Sequence, residues 1–248
     1  MKRGLMLLYG VVCYFVFLAV FLRAIWFVWT MDSAAPAASW FRAVLIDAGL
    51  LAAFALQHSV MARQGFKRVW TRVIPKPVER STYVLFASLV LLAAVEFWQP
   101  LPGTAWHVQS QSAVILLNAL FWFGWLLILA CTFLIDHFDL FGLKQVWRYW
   151  HGVPSEPPTF KTPGPYRFVR HPLYLGFLIA FWSAPVMTSG HLFFAVMCTG
   201  YIVVAIQFEE RDLVRFYGEQ YRIYRSAVSM LVPWPSKKRQ PESISQVR

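Results

Sequence analysis

Apolar residues run along this chain in blocks of about 20, divided by short polar stretches that hold nearly all of its lysine and arginine. A helix rises 1.5 Å per residue, so ~20 apolar residues span the ~30 Å hydrocarbon core of a bilayer. Six stretches fit: residues 5–30, 43–62, 81–98, 113–135, 172–188 and 191–208. Only Thr188-Ser189-Gly190-His191 separates the last two, which predicts a tight helical hairpin. The first block is too long for a secretory signal and lacks a small-residue cleavage pattern, so it predicts a span. The pattern as a whole predicts an all-α integral membrane protein with about six transmembrane helices. It forms one membrane-embedded unit over 1–248, with no internal repeat and no soluble second domain.

Composition agrees. The 248 residues are 58% hydrophobic and only 14% charged, more apolar than a soluble domain of this length requires. The net charge of +11 raises the question of nucleic acid, but the basic residues sit between the apolar blocks, where they determine topology instead. If the blocks alternate across the membrane, 21 of 23 lysines and arginines fall on one side; Arg42 and the in-span Arg23 are the exceptions. The positive-inside rule then puts both termini and the two long loops on the cytoplasmic side, with lipid as the surrounding partner. Cys13, Cys131 and Cys198 all lie in apolar runs and read as core residues. His58, His137, His171 and His191 have no ligand spacing, so no metal site is expected.

Polar chemistry concentrates where the fifth block begins, in Gly164-Pro-Tyr-Arg-Phe-Val-Arg-His-Pro-Leu-Tyr-Leu-Gly176. Pro163 and Pro165 make a rigid turn, and Pro172 suits the first turn of a helix. His171 thereby falls near a helix amino terminus, where free N–H groups favour an anion, and Arg167 and Arg170 add charge. The same residues would also serve as an interfacial anchor, with Arg and Tyr reaching to lipid headgroups. Glu209 and Glu210 close the sixth block, at the same membrane face as His171 if the hairpin is antiparallel, and a charge at that depth points to function. A cation-plus-acid pocket there would suit a zwitterionic ligand. From Arg211 onward, Leu213, Tyr217, Tyr221, Tyr224 and Val228 recur every three to four residues, which predicts an amphipathic interfacial helix over that pocket.

Arg167-x-x-Arg170-His171-Pro172-x-Tyr174-x-Gly176, followed by a short hairpin and Glu209-Glu210-Arg211, resembles the isoprenylcysteine carboxyl methyltransferase and phospholipid methyltransferase superfamily over about 160–235. The resemblance implies S-adenosyl-L-methionine as cofactor. It assigns Arg170, His171, Pro172, Tyr174 and Gly176 to the cofactor motif, Glu209 and Glu210 to its paired acids, and Tyr221 to the covering helix. Leu56–Arg63 and Glu79–Leu92 resemble NnrU-type membrane proteins, so 1–150 reads as four spans forming the acceptor side. Asp136–Trp147 is similar to bacterial membrane thiol methyltransferases, which implies a small thiol as substrate and conversion of methanethiol to dimethyl sulfide.

Methyl transfer to a thiol needs the thiolate, and Asp136, His137 and Asp139 cluster at the end of the fourth block. An aspartate-oriented His137 would be a proton acceptor. Alternatively, Asp139 caps the following turn and His137 is a satisfied interface histidine. His58 is either a substrate contact or a core histidine bonded to backbone. The proline loop before Tyr166 is not a glycine-rich dinucleotide loop, which excludes a Rossmann-type methyltransferase. Two other functions remain open: methylation of a prenylcysteine carboxylate or phospholipid amine, and a non-enzymatic haem-binding or transport protein, for which intramembrane histidines are the motive.

Overall fold

The computed structural model describes residues 1–31, 39–154 and 159–233. The carboxyl-terminal tail expected in the cytoplasm lies, after Pro233, outside these residues. The long helices are α1 (Lys2–Trp29), α2 (Trp40–Ala62), α4 (Lys76–Glu96), α5 (Gln111–Ile135) and α9 (Ser189–Tyr217). Shorter ones are α3 (Gln64–Trp70), α6 (His137–Leu140), α7 (Leu143–His151), α8 (Pro172–Trp182) and α10 (Glu219–Ala227). Strands β1 (Thr104–His107) and β2 (Val186–Thr188) pair antiparallel. Among the described residues, five helices are long and apolar enough to cross a membrane. They turn large apolar side chains outward, including Leu8, Phe15, Leu22 and Trp26 on α1 and Trp122, Phe123 and Leu126 on α5. Such a surface belongs in lipid, and the protein is an integral membrane protein.

The fifth expected crossing differs from its prediction as a helix to residue 188. Helix α8 has only 11 residues, about 16 Å, and stops at Trp182. Pro185 has no N–H with which to continue it, and the chain passes without helix through Ser183–Pro185 into β2. Non-helical backbone at this depth is tolerated only when its polar groups are satisfied. Here His191 Nε2 donates to the Phe181 carbonyl (2.9 Å), Trp106 Nε1 to that of Ala184 (3.0 Å) and the Val108 amide to that of Pro185 (2.9 Å). The expected 188–191 turn is instead the start of α9: Thr188 Oγ1 accepts from the His191 amide as its N-cap. The interfacial helix expected from Arg211 is also split, because α9 continues to Tyr217 and breaks at Gly218, whose φ of 60° and ψ of −127° suit glycine.

The crossings form a ring. Helix α5 packs along α8, α8 on α9, α9 on α2, α2 on α4, and α4 on α1, and α1 returns to α5 through Phe21 against Trp125 and Trp29 against Phe121, while α7 packs on α1. At the α5–α8 crossing, Gly124 and Gly176 let backbones touch: a Cβ at Gly124 would stand 2.6 Å from the Gly176 carbonyl oxygen. One end of the ring gathers the basic connections. There Arg63 pairs with Asp212 (2.8 Å), Arg3 lies over the Tyr149 ring and Arg80 Nε donates to the Leu140 carbonyl (2.7 Å). The ribbon and the Arg23–Glu96 pair close the other end.

Candidate active site

At the basic end, the start of α8 meets the last third of α9. Glu210 Oε1 accepts from Arg170 Nε at 2.7 Å and from His171 Nε2 at 3.0 Å, and all three side chains are nearly buried. The anion expected at this helix terminus is therefore the protein's own Glu210. Arg170 also donates to the carbonyls of Arg225 and Val228. The Arg170 and His171 amides donate to those of Ser229 (2.8 Å) and Met230 (3.1 Å), so residues 228–230 strap the start of α8 to the end of α10. Sequence gave no signal for this strap, because an extended segment of three residues carries no periodicity.

Glu209 faces another way. One residue turns a helix by ~100°, and Glu209 Oε2 accepts from the Tyr174 hydroxyl at 2.8 Å. Tyr174 and Gly176, two positions apart on α8, also face different ways: Tyr174 reaches α9 while Gly176 lies against α5. Gly176 and the fully buried Pro172, both assigned by resemblance to the cofactor motif, are held as parts of the helix packing and helix start.

Helix α10 covers these acids. Tyr224 donates to the Tyr166 carbonyl (2.6 Å), and Phe160 packs its ring among Tyr217, Tyr221 and Tyr224. The Tyr221 hydroxyl is buried and has no hydrogen-bond partner among the described residues. Burial, then the charge of Glu210, raise its pKa, so it is a neutral phenol with a proton to give. An orphaned buried donor beside paired acids, under an aromatic cover, fits a polar ligand that brings its own acceptors.

The third cluster departs from expectation. No carboxylate orients His137. Thr132 Oγ1 donates to the Leu129 carbonyl (2.7 Å), so it accepts from His137 Nδ1 (2.9 Å), and Nε2 accepts from the Tyr14 hydroxyl (2.9 Å). Phe133 stacks on the ring at 4.3 Å, and burial lowers the histidine's pKa, which leaves it neutral. Asp136 N-caps α6 by accepting from the Asp139 amide (3.1 Å) and pairs with Lys144. Burial pushes the Asp136 pKa up, but those hydrogen bonds and the charges of Lys144 and Arg148 outweigh it and hold it low. No hydrogen bond joins Asp139's carboxylate to His137. The cluster is a satisfied hinge between α5 and α7.

His58, by contrast, meets a hydroxyl that sequence reading missed. The Tyr83 hydroxyl lies 3.0 Å from Nδ1 and 3.1 Å from Nε2 of His58, and Ser59 meets Tyr201 at 3.2 Å. Tyr14, Tyr83 and Tyr201 each place a phenol inside an apolar run. That was their only available signal, since a buried phenol seeks a partner.

Comparison with known proteins agrees with this architecture. Residues 120–220 match the phospholipid methyltransferase family, spanning α5 through the start of α10. With the membrane ring and the buried Glu210 beside Glu209 on α9, that match defines an integral membrane methyltransferase. Methanethiol S-methyltransferase of Mycobacterium tuberculosis is 52% identical over 243 residues, 96% of this chain and 99% of that protein. The protein of the same name from Crocosphaera subtropica is 50% identical over 244 residues, 96% of this chain and 95% of its own. Nurim of Xenopus laevis is 32% identical over 176 residues, 67% of this chain and 61% of that protein. No solved structure matches. The chain belongs to the methanethiol S-methyltransferase family.

Proposed function

We propose that the protein transfers a methyl group from S-adenosylmethionine to methanethiol, giving dimethyl sulfide, at the cytoplasmic face of the inner membrane. The observation that carries this reading is the Tyr174–Glu209 pair beside the unpartnered Tyr221 hydroxyl, braced by Arg170, His171 and Glu210. Glu209 and Tyr221 supply a carboxylate and a phenol for the cofactor's amine and hydroxyl groups. When bound, the cofactor supplies an electrophilic methyl group. The protein orients it and, through α10 and the 228–230 strap, shields it from water, where a fixed approach geometry gains most.

A small apolar acceptor fits the ring interior, which is crowded by Phe17, Phe21, Tyr83, Trp125 and Phe177. Aromatic faces favour sulfur. Facing of the basic end to the cytoplasm rests on the lysine and arginine distribution. The test is purified protein given methyl-labelled S-adenosylmethionine with methanethiol, a prenylcysteine or phosphatidylethanolamine vesicles. Label should appear in dimethyl sulfide; label confined to a lipid or prenylcysteine product would overturn the acceptor assignment.

A further inference from the structure

Thiol methylation leaves a proton to be placed. An alkyl thiol is mostly protonated near neutral pH, and the thiolate is the nucleophile. The ring of His137 has its partners, Tyr14, Thr132 and Phe133, on α1 and α5, and none of them belongs to α9, which carries Glu209.

The His58–Tyr83 pair is built differently. His58 on α2 stacks on Phe54 at 5.3 Å and meets the buried Tyr83 hydroxyl through its ring nitrogens. The Arg80 guanidinium lies 5.0 Å over the Tyr83 ring and is itself fixed by the Leu140 carbonyl. A cation there favours negative charge on the phenol oxygen and on a sulfur beside it. Ser59, next to His58, meets Tyr201 of α9 at 3.2 Å, and Arg63 at the end of the same helix pairs with Asp212 at 2.8 Å, so this part of α2 runs along the stretch of α9 that carries Glu209, the partner of Tyr174. The pair thus shares the ring interior with the proposed methyl-donor pocket. Other titratable or charged groups around Tyr83 are Glu79 on its own helix, Lys67 on α3, Tyr201 on α9 and Tyr174 on α8. Packed elements also bring Tyr9, bonded to Thr82, on α1, and Lys144, paired with Asp136, on α7.

We propose that Tyr83 is the catalytic contact for the thiol and His58 the base behind it; the proposal rests on the thiol-methylation reading above. The S–H bond breaks with its electron pair left on sulfur. The proton passes to the Tyr83 oxygen as the Tyr83 proton passes to a ring nitrogen of His58. The sulfur pair forms the new S–C bond, and the donor sulfur keeps the pair of the bond that breaks. One proton then remains on His58 for release to water, so charge balances.

The test compares methanethiol with methaneselenol, which is already ionised at neutral pH and needs no base, in full-length wild type, Tyr83→Phe and His58→Gln. General-base assistance is worth ~10²–10⁴-fold. Both variants should lose at least ~100-fold in methanethiol turnover and only a few fold with methaneselenol. Their affinity for S-adenosylhomocysteine, by calorimetry, should be unchanged. Raising the pH should restore methanethiol turnover as the thiol ionises by itself. Equal losses on both acceptors, no loss on either, or weakened S-adenosylhomocysteine binding would each overturn the proposal. A wild type that methylates neither acceptor would instead sink the functional reading beneath it.

Discussion

Arg170 Nε stands 2.7 Å from Glu210 Oε1, and the two side chains are only 11% and 9% exposed. The pair ties the start of α8 to α9, and through the second arm of Arg170 it ties both to the strap after α10. Neighbouring acids therefore have different partners: Glu210 braces the start of α8 through Arg170 and His171, and Glu209 accepts from Tyr174.

That division predicts opposite phenotypes. Glu210→Gln leaves a buried guanidinium without its counter-charge, a loss of about 3–5 kcal/mol for a broken buried pair. Its apparent melting temperature in detergent should fall sharply, whereas Glu209→Gln should melt within a few degrees of wild type. Equal melting of both variants would refute the structural role of Glu210.

The α5–α8 crossing predicts a second stability effect. Gly176→Ala drives a methyl group to 2.8 Å from the Gly124 carbonyl oxygen and from Ile128 Cγ1, where neither backbone nor a packed helix can yield cheaply. Overpacking of this kind costs ~1–3 kcal/mol. Gly49→Ala, which meets nothing within 4 Å, is the control and should be silent or slightly stabilising. Thermal melting in detergent of the two alanine variants checks this; a silent Gly176→Ala would refute the close crossing.

His137 predicts a pH effect whose sign follows from its lowered pKa. The unfolded chain binds a proton near the ordinary value of ~6.5, while the folded state resists it. Its contribution is fully present above pH ~6.5 and is lost as pH falls through that value toward the folded pKa. Denaturation curves from pH 7.5 to 5 should show wild type losing more stability than His137→Asn. Parallel curves would show that the imidazole is not buried neutral.

How much of this was legible in the sequence varies by element, and the reasons are physical. Long apolar blocks located α1, α2, α4, α5 and α9 because membrane span length is fixed by the bilayer. The same rule over-extended α8, since apolarity does not distinguish a helix from an extended segment whose backbone is satisfied by Trp106 and His191. The family motif gathered Arg170, His171, Tyr174, Glu209 and Glu210 at one place, as the structure does. It could not separate bracing from binding, because that depends on helical phase and on a strap with no pattern of its own. His137 illustrates the limit: its neighbours in sequence are aspartates, but its partners, Tyr14 and Thr132, come from other turns.

Topology offers an independent check. Reporter fusions at Gly103, whose carbonyl accepts from the Ser189 amide (2.9 Å) at the ribbon end, should read as periplasmic. Fusions at Gln64, in the basic α2–α4 connection, should read as cytoplasmic. Like readings at both sites would break the alternation on which the orientation rests.

The central claim, that Glu209 and Tyr221 hold the methyl donor, is tested most directly by calorimetric binding of S-adenosylhomocysteine to wild type and to folded Glu209→Gln and Tyr221→Phe proteins. Wild type should bind clearly, Glu209→Gln should lose about tenfold or more, equivalent to ~1.4 kcal/mol, and Tyr221→Phe should lose less. Wild-type affinity in both variants would contradict it.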